Sequence, residues 1–203
     1  MKTTPASYVA ALQEAARTRQ WDPLPELRRS ICQHFANARD WEGMEAFFEA
    51  ALLSAVPEET CAAVSSRLGH LPTMAANLAS AFDRAVDLAS NNPNVKALYC
   101  EYFYDGGDGS TVDLFPCLRF ERNDDFWASE FEEVVPGSPV QSYFGYDPEL
   151  EVAEPAASIA RDYLHAKLFG VVGHLVEERV RGRYPFGFAE HDGLIVCIDA
   201  HAT

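Results

Sequence analysis

The sequence predicts an α+β fold, in which an N-terminal helical bundle precedes a mostly antiparallel sheet packed against a long C-terminal helix. Three observations lead to this prediction. Apolar residues recur at helical spacing as far as residue 92, a strand-like aromatic segment follows, and a second long helical pattern precedes a final apolar run. We divide the 203 residues into a helical region, 1–92, and an α+β region, 93–203, which one continuous domain also accommodates.

The helical region shows recognisable helix starts. Pro23 and Pro25 lie near the start of the second helix, where a missing amide hydrogen breaks no helical bond. Asp40 is a candidate N-cap for the third helix. Trp21 and Trp41 occupy similar positions at successive helix boundaries, so we expect each indole to fill a corner between helices.

The next segment alternates between strands and turns. Residues 95–104 and 111–120 are β-prone and flank a glycine-rich turn at 105–110, which predicts a β-hairpin. Beyond the hairpin we expect a short helix that begins at Asp124 and continues towards residue 135. A further strand is predicted at residues 140–146.

The C-terminal part begins with the longest helical pattern. Residues 153–182 carry a wide apolar stripe, and Gly182 is a candidate cap at its end. Residues 194–198 are almost entirely apolar, which predicts a strand buried on both faces in the interior of a sheet. Residues 184–188 are expected to pair with that strand.

The negative charge is concentrated in one segment. The net charge is −15, and residues 101–154 hold 14 acidic side chains against Arg119 and Arg122, a net charge of −12. Such a field repels nucleic acid and anionic membranes and attracts basic partners. We therefore expect a protein partner and neither nucleic acid nor membrane. A solvated face that keeps the chain soluble is the alternative interpretation.

The cysteines favour a reducing compartment. They are odd in number and show no CxxC spacing, which is typical of reduced thiols in a cytoplasmic protein. The five are Cys32, Cys61, Cys100, Cys117 and Cys197. No apolar run near the N-terminus resembles a signal peptide, and no apolar stretch is long enough to span a bilayer. We expect a cytoplasmic location.

No motif in the sequence specifies a chemistry. GxSxG, HExxH and phosphate-binding glycine loops are all missing, so we expect no catalytic residue, no metal and no cofactor. The turn at residues 105–110 resembles a calcium loop, but Pro116 stands where a ligating glutamate is needed. Three weaker candidates remain. His174, Glu177 and Glu178 have a spacing compatible with metal ligands, and a cysteine could act as a nucleophile with His165 or His191. Adjacent acids could act as acid–base groups.

The acidic segment is also rich in aromatic residues. Twelve aromatic side chains fall between residues 99 and 146, among the carboxylates. Aromatic anchors surrounded by acids suit tight binding of a basic surface. The candidate partner-binding residues are Glu101, Asp113, Glu121, Asp124, Asp125, Trp127, Glu130, Glu132 and Glu133.

The order of elements resembles a known class of proteins. The strand at residues 97–104, the acidic segment around Trp127, the long helix and the final apolar strand are similar to those of bacterial immunity proteins that accompany polymorphic or contact-delivered toxins. The resemblance covers roughly residues 95–200. It implies a cytosolic, non-enzymatic protein that neutralises a cognate, basic toxin by direct binding, with the acidic face acting as a polyanion mimic.

Two other functions stay open at this point. The first is a non-catalytic adaptor or regulatory module that binds a peptide or helix through residues 1–92, with Trp21 and Trp41 as contacts. The second is an enzyme with an unrecognised site, which a concave pocket holding histidine or cysteine beside carboxylates would support. The oligomeric state is open in each case.

Overall fold

The computed structural model has a helical N-terminal half, as predicted. It describes residues 3–104, 109–122, 124, 126–144 and 154–198. The α-helices in those ranges are α1 (Pro5–Thr18), α2 (Pro23–Ala38), α3 (Trp41–Ala55), α4 (Glu58–Arg67), α5 (Leu71–Asn91), α6 (Gln141–Phe144) and α7 (Ala156–Leu175). A π-helical turn at Val176–Val180 extends α7. The helical region and the long C-terminal helix are therefore confirmed.

Local hydrogen bonds explain where the first helices begin. Thr4 caps α1: its hydroxyl accepts from the Ser7 amide at 3.2 Å, and the Ser7 hydroxyl accepts from the Thr4 amide at 2.9 Å. Pro23 is the first residue of α2. Asp40 caps α3 as expected, because its carboxylate accepts from the Gly43 amide at 2.9 Å.

The strands form one sheet of five, with the order β3-β2-β1-β4-β5. They are β1 (Ala97–Phe103), β2 (Thr111–Cys117), β3 (Val135–Pro139), β4 (Phe186–Glu190) and β5 (Val196–Ile198). β1 and β4 run parallel, and the other three neighbouring pairs are antiparallel. The mostly antiparallel sheet, the β1–β2 hairpin and the pairing of β4 with β5 are confirmed.

The segment between β2 and α7 differs from the prediction. A 3-10 turn at Trp127–Ser129 stands where a longer helix was expected, and in the described part of 140–146 a helix, α6, replaces the strand. The strand is β3, whose prolines suggest a turn. An edge strand tolerates them because it needs hydrogen bonds on one side only. A Cβ atom at Gly137 would collide with the Val112 carbonyl oxygen, so glycine permits this close pairing.

β5 is an edge strand, which corrects its predicted place in the sheet interior. It is nevertheless buried, because α2 covers its free edge. The Gln33 amide group donates to the Cys197 carbonyl oxygen at 2.7 Å and accepts from the Cys197 amide at 2.9 Å. One side chain thus supplies the two hydrogen bonds that a neighbouring strand would supply.

The main hydrophobic core includes residues from both predicted regions. Phe82 of α5 stacks on Phe186 of β4, with ring centroids 5.5 Å apart. Trp41 packs against α7, where a Cβ atom at Gly173 would lie 2.5 Å from its indole ring. In the part of the chain that the structure describes, no helix has both the length and the apolarity needed to cross a membrane.

Candidate functional site

The sheet has one face that the long helices do not cover. The helices bury the inner face, whereas the outer face carries a smaller apolar cluster with no member from α1–α7. That cluster consists of Ala97, Tyr99, Cys117, Trp127, Ala128, Ala189, Ile195 and Cys197, with Phe115 and Phe120 packed against it. Of the predicted partner-binding residues, Trp127 belongs to this cluster, and Glu101 and Asp113 lie on the same face of β1 and β2 as Tyr99 and Phe115.

Glu101 and Asp113 are directly opposite each other on β1 and β2. Like charges in this position repel unless each is held by donors. Glu101 accepts from the Tyr99 hydroxyl at 3.0 Å and lies 2.8 Å from Nδ1 of His191, which raises the pKa of that imidazole. Asp113 accepts from the Thr111 hydroxyl and from a backbone amide of β3. The structure therefore brings these two predicted acids together.

Arg119 partly neutralises two other candidates. Its guanidinium lies 2.7 Å from Glu121 and 2.7 Å from Asp124. These contacts hold the chain after β2 in a compact turn and reduce the charge that it presents to a partner. Asp125, the remaining acid of this turn, lies outside the described residues.

Trp127 was predicted to be an exposed anchor for the partner, but it is fully buried. Its ring packs edge-on against Tyr99 and Phe120, with centroids 5.9 Å and 5.2 Å away. A Cβ atom at Gly187 would lie 2.7 Å from the indole, so β4 passes directly beneath it. Trp127 fixes the segment that follows β2 to the outer face, and its neighbours make the exposed surface.

That exposed surface is the stretch of residues 118–134, which we name the acidic edge. Its backbone continues the sheet beside β2, since the Leu118 amide donates to the Glu130 carbonyl oxygen at 2.8 Å. Phe126 is 78% exposed, and the apolar residues Leu118, Phe131 and Val134 are exposed to a smaller extent. Four of the five large apolar side chains that are exposed among the described residues therefore belong to this stretch.

The same stretch carries exposed carboxylates. Glu130, Glu132 and Glu133 are exposed. Within the described ranges, neither Glu132 nor Glu133 forms an ion pair. The Phe131 ring packs on Phe115 with centroids 5.0 Å apart, which connects the acidic edge to the Glu101–Asp113 pair on the outer face. Residues 118–134 thus combine exposed carboxylates with exposed apolar side chains, and Phe126 rather than Trp127 is the exposed ring.

A second candidate site lies on the inner side of the sheet, and the sequence predictions missed it. Arg28 of α2 bridges two carboxylates, that of Asp162 at 2.9 Å and that of Glu190 at 3.2 Å. The Tyr8 hydroxyl donates to Asp162 as well. Asp162 is buried, and its burial raises the pKa of the carboxyl group while Arg28 opposes that rise. The available signal was a charged residue inside the apolar stripe of α2 and of α7.

A histidine and a tyrosine complete this polar cluster. Nδ1 of His165 lies 2.9 Å from the Tyr102 hydroxyl, and both side chains are buried. Burial lowers the pKa of His165 well below its ordinary value and raises the pKa of Tyr102 well above its own. At neutral pH the imidazole is therefore neutral and the phenol protonated.

Two cavities border the cluster and share the Arg28–Glu190 pair as a wall. One has a volume of about 250 Å³, and Asp162, Tyr102 and Trp21 line it. The other, of about 470 Å³, is lined by His165 and Cys32 among others. A concave pocket with histidine or cysteine beside carboxylates is thus present, which is the feature that would support an enzyme.

Three of the buried thiols lack the properties of nucleophiles. Burial raises the pKa of Cys32 to about 12 and the pKa of Cys117 to about 12, and it raises that of Cys100 well above its usual range. A protonated thiol is a weak nucleophile and a weak metal ligand. Glu177 is one of the three candidate metal ligands, with His174 and Glu178, and it is paired with Arg39 and Arg181.

Comparisons with known proteins identified no relative of this chain, since no protein-family model, curated protein or solved structure matched it. Among the residues that the structure describes, no group of three or more histidine, cysteine, aspartate or glutamate side chains is arranged to hold a metal ion. The turn at residues 105–110 lies mostly outside the described part of the chain. The acidic edge and the buried polar cluster are therefore the two candidate functional sites of the described residues.

Proposed function

We propose that this is an immunity-type binding protein, which holds a basic protein on its acidic edge and neutralises a cognate toxin by direct contact. One observation carries the proposal: Phe126 is 78% exposed in a stretch that also holds Glu132 and Glu133, which form no ion pair in the described ranges. An apolar ring in water has no stabilising role in the free protein. Burial against a partner would give it one.

The two components of the acidic edge would have different tasks. Carboxylates such as Glu132 and Glu133 attract a basic surface over about 8 Å at physiological salt and accelerate encounter. Phe126 then supplies the central apolar contact, since interface hot spots combine a buried aromatic ring with a polar rim. The Glu101–Asp113 pair extends the negative surface across the outer face of the sheet.

The adaptor function has less structural support. Trp41 is buried against α7, and Trp21 is only partly exposed, so neither indole projects as a peptide-binding anchor. Leu53 is the large exposed apolar side chain of α1–α5. The enzyme function has a specific observation in its favour, namely the cavities at Arg28 and Glu190. The raised thiol pKa values count against a cysteine nucleophile there.

Charge reversal tests the proposal. The immobilised protein is used to capture proteins from an extract of its own host at low and high salt, and the captured protein is then purified for binding measurements. The variant Glu130→Lys/Glu132→Lys/Glu133→Lys should weaken binding at least about 100-fold and flatten its salt dependence, because three attractive charges become repulsive. Phe126→Ala should raise the dissociation rate with little effect on the salt dependence.

A matched control carries the same change in charge elsewhere. Glu49, Asp87 and Glu178 are exposed residues of α3, α5 and the π-helical turn. Their replacement by lysine alters the net charge by the same amount but leaves the acidic edge intact. If the two triple variants weaken binding equally, only net charge matters. If neither weakens it, the partner contacts another surface.

A further inference from the structure

The cavity of about 250 Å³ lies where parallel strands end. Tyr102 and Glu190 are register partners on the parallel strands β1 and β4, at the carboxyl end of each. In sheets with parallel strands, ligands bind in the crevice outside the carboxyl ends. The volume matches about eight water molecules, which is enough for a small ligand.

The walls of this cavity are largely aromatic. Trp21 from the α1–α2 corner, Tyr104 beyond β1 and Phe144 of α6 line it together with Tyr102. The rings of Tyr102 and Phe144 stack with centroids 4.9 Å apart. Aromatic faces carry partial negative charge and attract cations that come within about 6 Å.

Two arginines balance two carboxylates among the side chains that line the cavity. Arg28 is shared between Asp162 and Glu190. The other arginine, Arg161, is paired at 3.0 Å with Glu154, which lies outside the lining, so these five groups together carry one net negative charge. Asp162 is saturated by Arg28 and Tyr8, whereas the Glu190 side chain is 41% exposed and can accept further hydrogen bonds.

We propose that this cavity binds a small organic cation, an alkylammonium or alkylguanidinium group, with Glu190 as its hydrogen-bond acceptor and the aromatic walls around it. The positive group completes the neutralisation of the Arg28–Asp162–Glu190 cluster. A charge-assisted hydrogen bond to a carboxylate is about twice as strong as a neutral one. An anion would meet the same carboxylate and the negative ring faces. The proposal does not depend on the acidic edge.

A titration monitored by amide NMR signals tests this assignment, with n-butylammonium and n-butylguanidinium as the probes. Both cations should cause saturable shifts at residues that line the cavity, including the indole N–H of Trp21. Butyrate and 1-butanol, which match the chain length without the positive charge, should bind at least about tenfold more weakly.

Two variants and one control complete the test. Glu190→Gln keeps the size of the side chain and should weaken cation binding about tenfold, since it removes the charge from the hydrogen bond. Trp21→Leu should weaken it separately through the lost aromatic wall. Glu178→Gln, on an exposed and remote turn, should change nothing. Absence of saturable binding, equal binding of butyrate, or full cation affinity in both cavity variants would overturn the proposal.

Discussion

At the scale of single residues, two histidines report opposite environments. His191 is exposed and hydrogen-bonded to Glu101, which raises its pKa above 6.5, whereas burial lowers the pKa of His165 well below 6.5. In an NMR titration, the His191 ring signals should have a midpoint above the ordinary value. That midpoint should fall in Glu101→Gln, and the His165 signals should not titrate in that range.

The buried histidine also sets a direction for stability. Its folded-state pKa lies below its unfolded-state value of about 6.5, so the unfolded chain binds more protons as the pH falls below that value. The contribution of His165 to the free energy of unfolding should therefore decrease as the pH falls from 7 to 5, and His165→Gln should remove that contribution, which a comparison of the two proteins across this range measures. A normal midpoint for His165 would contradict the burial that places it beside Tyr102.

Some properties of single residues could not be predicted from sequence patterns. The aromatic, acidic character of residues 118–134 is visible in the sequence, but Phe126 and Trp127 are adjacent and either could be the exposed ring. Burial decides between them, and it depends on Gly187, a residue of a distant strand that leaves room for the indole. The Arg28–Asp162 pair joins residues 134 positions apart, which no local pattern reveals.

At the scale of elements, the edge strand β5 depends on one side chain of α2. Gln33→Leu removes both hydrogen bonds between this side chain and the buried Cys197. It should lower the free energy of unfolding by about 1–3 kcal/mol, since each hydrogen bond contributes about 0.5–1.5 kcal/mol to stability. The exposed strand edge should also promote aggregation.

Denaturant unfolding and light scattering measure the two effects. Gln13→Leu is the matched control, because Gln13 is an exposed residue of α1 and the same substitution there should change stability by less than about 0.5 kcal/mol. Equal stability of the two variants would mean that Gln33 does not close the edge of the sheet.

Periodicity and capping predicted elements well where they were long or locally encoded. α1–α5, the β1–β2 hairpin and α7 have strong local signals, such as the Asp40 cap. β3 was missed because Pro136, Gly137 and Pro139 indicate a turn, and only an edge position next to β2 makes them acceptable. The predicted position of β5 in the sheet interior was wrong. Its apolar residues are buried at an edge because Gln33, far away in sequence, covers that edge.

At the scale of the whole molecule, the net charge of −15 has a structural counterpart. Helices cover one face of the sheet, and the exposed side chains of Glu132, Glu133 and Phe126 belong to the acidic edge. Arg119 partly neutralises Glu121 and Asp124, whereas Glu132 and Glu133 form no ion pair in the described ranges. We propose that the partner binds this surface.

Hydrogen–deuterium exchange of the protein alone and with its purified basic partner shows whether the acidic edge is the binding surface. If it is, amide exchange should slow at residues 118–134, with the largest change near Phe126, and should stay unchanged in α1–α4. Phe126→Ala should reduce this protection at equal partner concentration. Protection confined to the helices of residues 1–92, with exchange at the acidic edge unaffected, would rule out binding by the acidic edge and favour an adaptor that binds through its helical half.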